Sequence, residues 1–356
     1  MDRRGLIRGG RNSALAVALI SLLLLLSAVI LVDLYQRGQP LGLDFAPVWA
    51  AATVPHEAYD IQAVTSIQSH LFDIDLVPRP YAYPPTTLFL LLPFGLLGFW
   101  YAYAAFVAIC AGLLFLALRS SSVSLWAFVF PPIVILLHVG QVTLLAGSLL
   151  LLALASSNWT VRGTLFAVAV ALKPQLALFL PLLLLLQRDW RSGALTFALL
   201  CLLVAGSVGA FGLGLWKEWS QSLRDLVQIV NSNPSLAANQ ISGSWMFLPL
   251  SLIAVWMARK ADAATQLGLI VGAALLISPY AMNYELGLLV PALARRGFQK
   301  EKLTIAVALM LATWFILFLL PVLLITLAFL IWRTWTRVDA NVDDPNLVGI
   351  KTSPAR

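Results

Sequence analysis

The stretch Gly193–Leu215, GALTFALLCLLVAGSVGAFGLGL, decides the fold class because it contains no charged side chain. A helix of about 20 apolar residues crosses the roughly 30 Å hydrocarbon core of a bilayer. Ala14–Leu34 is a second long apolar run, preceded by Arg3, Arg4, Arg8 and Arg11. It is too long for the apolar region of a signal peptide, so we interpret it as a retained first helix.

The composition extends this interpretation to the whole chain. The sequence is 60% hydrophobic and 11% charged, whereas about 25% of residues are charged in ordinary soluble domains. Between Thr86 and Gln187 there is no acidic residue, and the only charged residues are Arg119, Arg162 and Lys173. We therefore predict an all-α, polytopic transmembrane helical bundle.

The basic residues predict the orientation of the chain. Most of them fall on one side if the N-terminus is cytoplasmic, as the positive-inside rule requires. This threading makes 36–85 and 216–245 outer loops and 86–187 a segment that crosses an odd number of times. The net charge of +7 is therefore assigned to topology, and no nucleic-acid partner is expected.

The segment 86–187 is divided into short apolar pieces. The predicted breaks are at Gly98, Ser120–Ser122, Val139–Gly140 and Ser156–Arg162. Short pieces at membrane depth can be re-entrant where protein covers their ends. We expect about 10–12 helices in one membrane domain, residues 1–338, followed by a cytoplasmic tail, residues 339–356.

Both outer loops are predicted to fold into helices at the membrane interface. Asp60 is placed to cap a helix whose apolar face includes Ile61, Val64, Ile67 and Leu71. Ser220 is placed to cap a helix in the second loop. Cys110 and Cys201 lack metal-ligand spacing, and no Gly-rich phosphate loop is present, so neither a metal nor a cofactor is expected.

Asp44 and Lys173 are the main candidate functional residues, because neither topology nor helix formation fully explains their positions. Asp44 follows the first helix closely and is a candidate general base, the N-cap of a helix over 46–52, or both, since the two roles do not exclude each other. Lys173 interrupts an apolar run, and no acid lies near it in sequence. A lysine at membrane depth indicates a substrate path or a buried pair. Phosphate binding and snorkelling of Lys173 to the interface both remain open.

Other polar residues lie at the edges of apolar segments. Gln141 is expected to bond another helix, and Pro84-Pro85 is expected to start a helix after Tyr83. Glu285 is placed to cap a helix start.

These motifs, in this order, resemble glycosyltransferase family 87, the polyprenol-phosphate-sugar-dependent membrane transferases of the GT-C superfamily. The resemblance runs from about residue 40 to 295. The motifs are Asp44-Phe45, Trp49-Ala50-Ala51, Tyr59-Asp60, Tyr83-Pro84-Pro85, Gly140-Gln141, Lys173-Pro174-Gln175 and Ser278-Pro279-Tyr280. Some members have a Trp and a His after the late Ser-Pro, where this chain has Met282 and Tyr284, so no histidine role is carried over.

The resemblance implies an inverting hexosyltransferase, typically an α-mannosyltransferase, acting on the extracytoplasmic side of the inner (plasma) membrane. The implied partners are a polyprenyl-phosphate-linked sugar and a lipid or glycan acceptor. Asp44 would be the catalytic base and Lys173 the ligand of the donor phosphate. The implied substrate-binding residues are Trp49, Tyr83, Gln141, Gln175, Tyr280, Tyr284 and Glu285.

Two other classes of protein remain as alternatives. A secondary transporter or lipid-carrier flippase would have paired intramembrane charges and internal repeats, and no repeat is visible. A non-enzymatic assembly subunit would not need a solitary lysine at membrane depth.

Overall fold

The structure is a computed structural model that describes residues 21, 24–36, 39–73, 79–232, 244–278, 282–294 and 319–342. Regular structure in these ranges is helical, without strands. Two helices, Phe99–Ser120 and Trp190–Arg224, are long and apolar enough to cross a membrane. The prediction of an all-α membrane bundle is confirmed. Residues 1–20, Tyr280, the segment 303–318 and the tail beyond 342 lie outside the described residues.

The described α-helices are numbered in chain order. They are α1 (Leu24–Gln36), α2 (Ala46–Thr53), α3 (Ile61–Phe72), α4 (Pro85–Leu91), α5 (Phe99–Ser120), α6 (Pro131–Val139), α7 (Val142–Ala155), α8 (Trp159–Leu172), α9 (Leu180–Gln187), α10 (Trp190–Ser232), α11 (Leu248–Ala258), α12 (Ala263–Ile277), α13 (Val290–Leu293) and α14 (Leu319–Val342). Short 3₁₀ helices at 55–57, 92–96, 125–129, 174–177, 245–247 and 283–289 connect them.

The predicted breaks within 86–187 are present. Gly98 and Ser121 flank α5, and Gly140 ends α6 in the left-handed conformation with φ 70°. Asn158 caps α8 by accepting hydrogen bonds from the backbone of Thr160 and Val161. Helices α7 and α8 have 14 residues each, about 21 Å, which is less than the hydrocarbon thickness.

Two of the short helices, α7 and α12, are covered by other parts of the protein. Almost every residue of α7 and α12 is buried, while α5 and α10 carry exposed side chains such as Trp100, Phe197 and Leu202. Short apolar helices are stable at membrane depth where protein covers their ends. The bundle therefore has a buried centre of short helices beside long, lipid-compatible ones.

The helices define two ends of the bundle. Helix α7 begins beside Gln141 and ends at Ala155, whereas α8 begins at Trp159 and ends beside Lys173. Because Gln141 and Lys173 belong to the same side-chain cluster, described below, these helices run in opposite directions. We call the two ends the Asp44 end and the Trp159 end.

The segments 36–85 and 216–245 differ in how far their predicted helices form. The Asp60 carboxylate accepts hydrogen bonds from the backbone of Gln62 and Ala63, so it caps α3 as predicted. The prediction that Ser220 starts a helix is wrong. Helix α10 kinks at Gly212 (φ 82°, ψ 166°) and continues through Ser220, whose hydroxyl donates to the Lys217 carbonyl. Glycine permits this kink because its φ is positive.

Candidate active site

Asp44 is held by a backbone contact between the first loop and the end of α6. The amides of Asp44 and Phe45 donate to the Val139 carbonyl at 2.9 and 3.0 Å. The Phe45 ring is fully buried and stacks on Phe106 at 4.7 Å. A side chain at Gly140 would have its Cβ 2.7 Å from the Phe45 Cβ, so glycine is required for this close approach.

The Asp44 side chain does not cap α2. Phe45 occupies the N-cap position, and no side chain caps the helix there. The Asp44 carboxylate instead forms an ion pair with Arg79 Nη1 at 2.7 Å and accepts a hydrogen bond from Gln141 Nε2 at 3.0 Å. The capping alternative is therefore wrong, and the carboxylate, 16% exposed, takes part in tertiary contacts.

Gln141 joins Asp44 to two tyrosines. Its Nε2 also donates to the Tyr284 hydroxyl at 2.7 Å, and its Oε1 accepts from the Tyr83 hydroxyl. Gln141 is nearly buried and lies just before α7 in an extended conformation. Since a buried amide must be hydrogen-bonded to avoid a desolvation cost, these partners fix its orientation.

Lys173 has an acidic partner, which corrects the expectation that it stands nearly alone. Its ammonium forms a buried ion pair with Glu285, 112 positions away in sequence, and donates to Thr143 Oγ1 at 2.5 Å. Its Nζ also lies 5.9 Å from the centre of the Tyr83 ring. Pairing and hydrogen bonding offset the desolvation of both charges, so Lys173 does not need to snorkel to the interface.

Glu285 has a local role as well. Its second carboxylate oxygen accepts from the Met282 amide at 3.2 Å, which caps the 3₁₀ helix Asn283–Leu289 as predicted. Gly147 of α7 faces this helix so closely that a Cβ there would overlap the Leu288 side chain. Small residues allow such close approach of helices in membranes, and this approach positions Glu285 and Tyr284.

Six of the nine predicted site residues therefore form one connected cluster at the Asp44 end. They are Asp44, Tyr83, Gln141, Lys173, Tyr284 and Glu285. Trp49 is not joined to it by a hydrogen bond: its indole N–H donates to the Leu97 carbonyl at 2.9 Å. Gln175 is half-buried in the turn after Lys173. Tyr280 lies outside the described residues.

The sequence analysis missed Arg79 and Thr143. Arg79 is followed by Pro80 and Tyr81, a position from which it can reach the end of the first loop, but no local pattern assigns it a partner. The buried Gln68 of α3 donates to its carbonyl at 3.1 Å. The hydrogen bond from α3 thereby helps to place the Arg79 guanidinium against Asp44.

Tyr59 holds the backbone of Tyr83, a member of the cluster, in place. Its hydroxyl donates to the Tyr83 carbonyl at 2.6 Å, and its ring lies 5.5 Å from that of Tyr81. Burial, with a smaller effect of the Glu218 charge, raises the pKa of Tyr59 well above its ordinary value. Tyr59 therefore stays a neutral donor at any physiological pH.

Fold and site together define the class of this protein. It is a helical membrane protein with two ion pairs and a network of Gln141 with two tyrosines at one end of its bundle. Within that class, the sequence model of glycosyltransferase family 87 matches residues 81–279, more than half of the chain, so the protein belongs to this family. The matched range includes Tyr83, Gln141 and Lys173, while Asp44 and Glu285 lie outside it. Comparison with curated proteins and with solved structures finds no match.

Membership of this family makes the protein a membrane glycosyltransferase, which uses a sugar donor and an acceptor.

Proposed function

We propose that the protein moves a hexose, with mannose as the first sugar to test, from a polyprenyl-phosphate donor to a hydroxyl group of a lipid or glycan acceptor. Asp44 is the general base and the anomeric centre is inverted. The observation that carries this proposal is the hydrogen bond from Gln141, a family-matched residue, to the Asp44 carboxylate.

The proposed reaction is a single displacement. The acceptor hydroxyl transfers its proton to Asp44 as its oxygen attacks the anomeric carbon. The bond from that carbon to the donor phosphate oxygen breaks at the same time, and polyprenyl phosphate leaves with the electron pair. Attack opposite the leaving group inverts the centre. General base catalysis of this kind contributes typically about 10²–10⁴-fold.

Lys173 remains our proposed ligand of the donor phosphate. An ammonium has three donor hydrogens, and two of them are used by Glu285 and Thr143. The third has no hydrogen-bond partner among the described residues and is available to a phosphate oxygen. The charge of Lys173 is balanced by Glu285. The Lys173 ammonium would therefore contribute more to the orientation of the phosphate than to its electrostatic attraction.

Arg79 is a second proposed phosphate ligand. Its side chain is 25% exposed, against 5% for Lys173, and it lies beside the proposed base. A guanidinium has five donors in a planar fork, so it can contact Asp44 and a leaving phosphate together. A fixed cation at this position would stabilise the charge that develops as the phosphate leaves.

The remaining proposed substrate-binding residues surround this centre. Tyr83, Tyr284 and Glu285 would contact substrate within the cluster, and Gln141 would hold the base. Trp49, Gln175 and Tyr280 keep the roles that the resemblance implies, as candidates to be tested individually.

We further propose a multi-pass protein of the inner membrane with its N-terminus in the cytoplasm and the Asp44 end outside. The position of several basic residues supports this orientation: Arg162, Arg188, Arg259 and Lys260 gather at the Trp159 end. Arg119 lies in the last turn of α5, which begins at Phe99 beside the Asp44 loop. Cytoplasmic ends of membrane helices are enriched in Lys and Arg.

The decisive experiment is a transfer assay with radiolabelled polyprenyl-phosphate mannose and membrane extracts as the acceptor source. Asp44→Asn should lose at least about 100-fold of the transfer rate, since the amide cannot accept the proton. The matched control is Asp60→Asn, an acid of the same loop whose capping role asparagine can also perform. Full transfer by folded Asp44→Asn would overturn the assignment of the base.

A secondary transporter or flippase remains a second candidate because of the buried Lys173–Glu285 pair, a feature that transporters also have. The two functions differ in detergent solution, where there is only one compartment. An enzyme releases polyprenyl phosphate from its donor there, whereas a transporter leaves the donor intact.

A further inference from the structure

A cavity at the Trp159 end is not part of the proposed active site. It has a volume of about 680 Å³ and lies between the end of α7, the start of α8, the α9–α10 turn and the α11–α12 turn. Helices α7 and α8 separate it from Asp44 by about 21 Å, the length of 14 helical residues.

The charges that line this cavity are mostly positive. Four cationic residues, Arg162, Arg188, Arg259 and Lys260, face one acid, Asp189. Asp262, next to the cavity in sequence, uses its carboxylate to cap α12 through Thr265. The lining therefore carries a clear excess of positive charge, which favours an anionic ligand.

Two of the cations have structural partners and two do not. Arg162 forms an ion pair with Asp189 at 2.8 Å and donates to the Ser156 carbonyl at 3.0 Å. Arg259 lies over the Trp256 ring, 3.4 Å from its centre. The side chains of Arg188 and Lys260 have no hydrogen bond or ion pair within the described parts of the chain. Arg188 and Lys260 are therefore the main donors available to a ligand, and Arg259, which uses one N–H group on the Trp256 carbonyl, has further N–H groups.

The backbone at Arg188 is held in an unusual conformation. Its φ of 58° lies in the left-handed region, where residues other than glycine are uncommon. The amides of Arg188 and Asp189 close the end of α9 by donating to the Leu185 and Leu184 carbonyls. The turn places Arg188 at the cavity, and α10 begins two residues later at Trp190.

Exposed aromatic side chains indicate that the cavity lies at the membrane surface. Trp159, Trp190 and Trp256 are 45%, 63% and 51% exposed and lie at the same end of the bundle. Tryptophan is enriched where membrane helices meet the headgroups. An anion that reaches a basic cavity at this depth is most simply a lipid phosphate, because basic pockets between membrane helices bind anionic headgroups.

We propose that this cavity is a binding site for the phosphate headgroup of an anionic phospholipid, with Arg188 and Lys260 as the main ligands and Arg259 as a third. The site is distinct from the Asp44 cluster and does not depend on the transferase proposal.

The test is lipid binding by the whole protein, purified in detergent and titrated with phosphatidylglycerol, phosphatidylcholine or inorganic phosphate. Native mass spectrometry counts the bound lipid. The parent protein should retain phosphatidylglycerol in preference to phosphatidylcholine, and the double variant Arg188→Gln/Lys260→Gln should bind it about tenfold more weakly, since each cation near an anionic headgroup contributes to attraction.

Arg119→Gln is the matched control. It removes one positive charge from the exposed end of α5, outside the cavity, and should leave phosphatidylglycerol binding unchanged. An equal loss in this variant would mean that general surface charge holds the lipid, which overturns the proposal. Equal retention of both lipids, or binding of inorganic phosphate without phosphatidylglycerol, would also overturn it.

Discussion

The two ion pairs of the Asp44 end are built differently. Arg79 and Asp44 are 25% and 16% exposed and come from a loop, whereas Lys173 and Glu285 are 5% and 2% exposed and come from helix ends. A partly exposed pair contributes little to stability, while removing one partner of a buried pair leaves an uncompensated charge. We infer that the exposed part of the first pair is suited to chemistry, and that the second pair holds the site together in addition to the substrate contacts proposed for Lys173 and Glu285.

The largest effect is expected at the buried pair. Glu285→Gln leaves the Lys173 charge uncompensated and should destabilise the protein by about 3–5 kcal/mol. Unfolding in graded denaturing detergent measures the loss. The double variant Lys173→Met/Glu285→Leu should recover most of it, because it removes both charges. A Glu285→Gln protein as stable as its parent would contradict the difference between the pairs.

Gln141→Ala should have the next largest effect, this time on transfer. It removes the hydrogen bond that orients Asp44 and leaves the Tyr83 hydroxyl without its acceptor. A lost hydrogen bond to a charged group costs about 1.5–3 kcal/mol, so kcat should fall by about 10–100-fold. Gln62→Ala, at an exposed position of α3, is the control. Unchanged kcat in Gln141→Ala would separate Gln141 from the chemistry.

Arg79→Gln should separate activity from stability. We expect stability to fall by less than about 1 kcal/mol, since the pair is partly exposed, while transfer falls clearly because the cation beside Asp44 is gone. Arg79→Lys, which keeps the charge but not the planar fork, should be intermediate. If Arg79→Gln unfolds as readily as Glu285→Gln, both pairs are structural and the comparison fails.

The smallest effect is expected at a third pair, Arg162–Asp189. Burial favours the neutral acid, but hydrogen bonds from Arg162 and Ser192 together hold the pKa of Asp189 below its ordinary value. Because the pKa of Asp189 is lower in the folded state, its charge stabilises the folded protein at pH values above the unfolded pKa of about 3.9. This contribution is lost as the pH falls through the folded pKa.

Melting temperatures between pH 3 and 7 should therefore drop slightly more for the parent than for Asp189→Asn. Equal acid sensitivity would contradict this contribution.

Local signals in the sequence predicted much of the fold. Asp60 capped its helix, Pro84-Pro85 began α4, and Gly140 separated α6 from α7. Each of these depends on a few neighbouring residues and on backbone rules. The prediction that Ser220 caps a helix failed because a serine hydroxyl can also form a hydrogen bond within a helix. No residue near Ser220 prevents α10 from continuing through this position.

The sequence predicted which residues belong to the candidate site better than it predicted which of them contact one another. Polar residues in apolar surroundings are few, so Asp44, Gln141 and Lys173 stood out. Which of them meet depends on chain paths of about a hundred residues: Gln141 lies 97 positions from Asp44, and Glu285 lies 112 from Lys173. The role of Arg79 was missed for the same reason.

The sequence by itself determined the apolar composition, the helix breaks and the short list of polar residues, because hydrophobicity and capping act over a few positions. Only the tertiary structure decided that Lys173 is paired with Glu285, that Asp44 lies against Arg79, and that the basic residues of the Trp159 end line one cavity. Charges in a medium of low polarity need partners, and the folding of distant segments decides which partners they find.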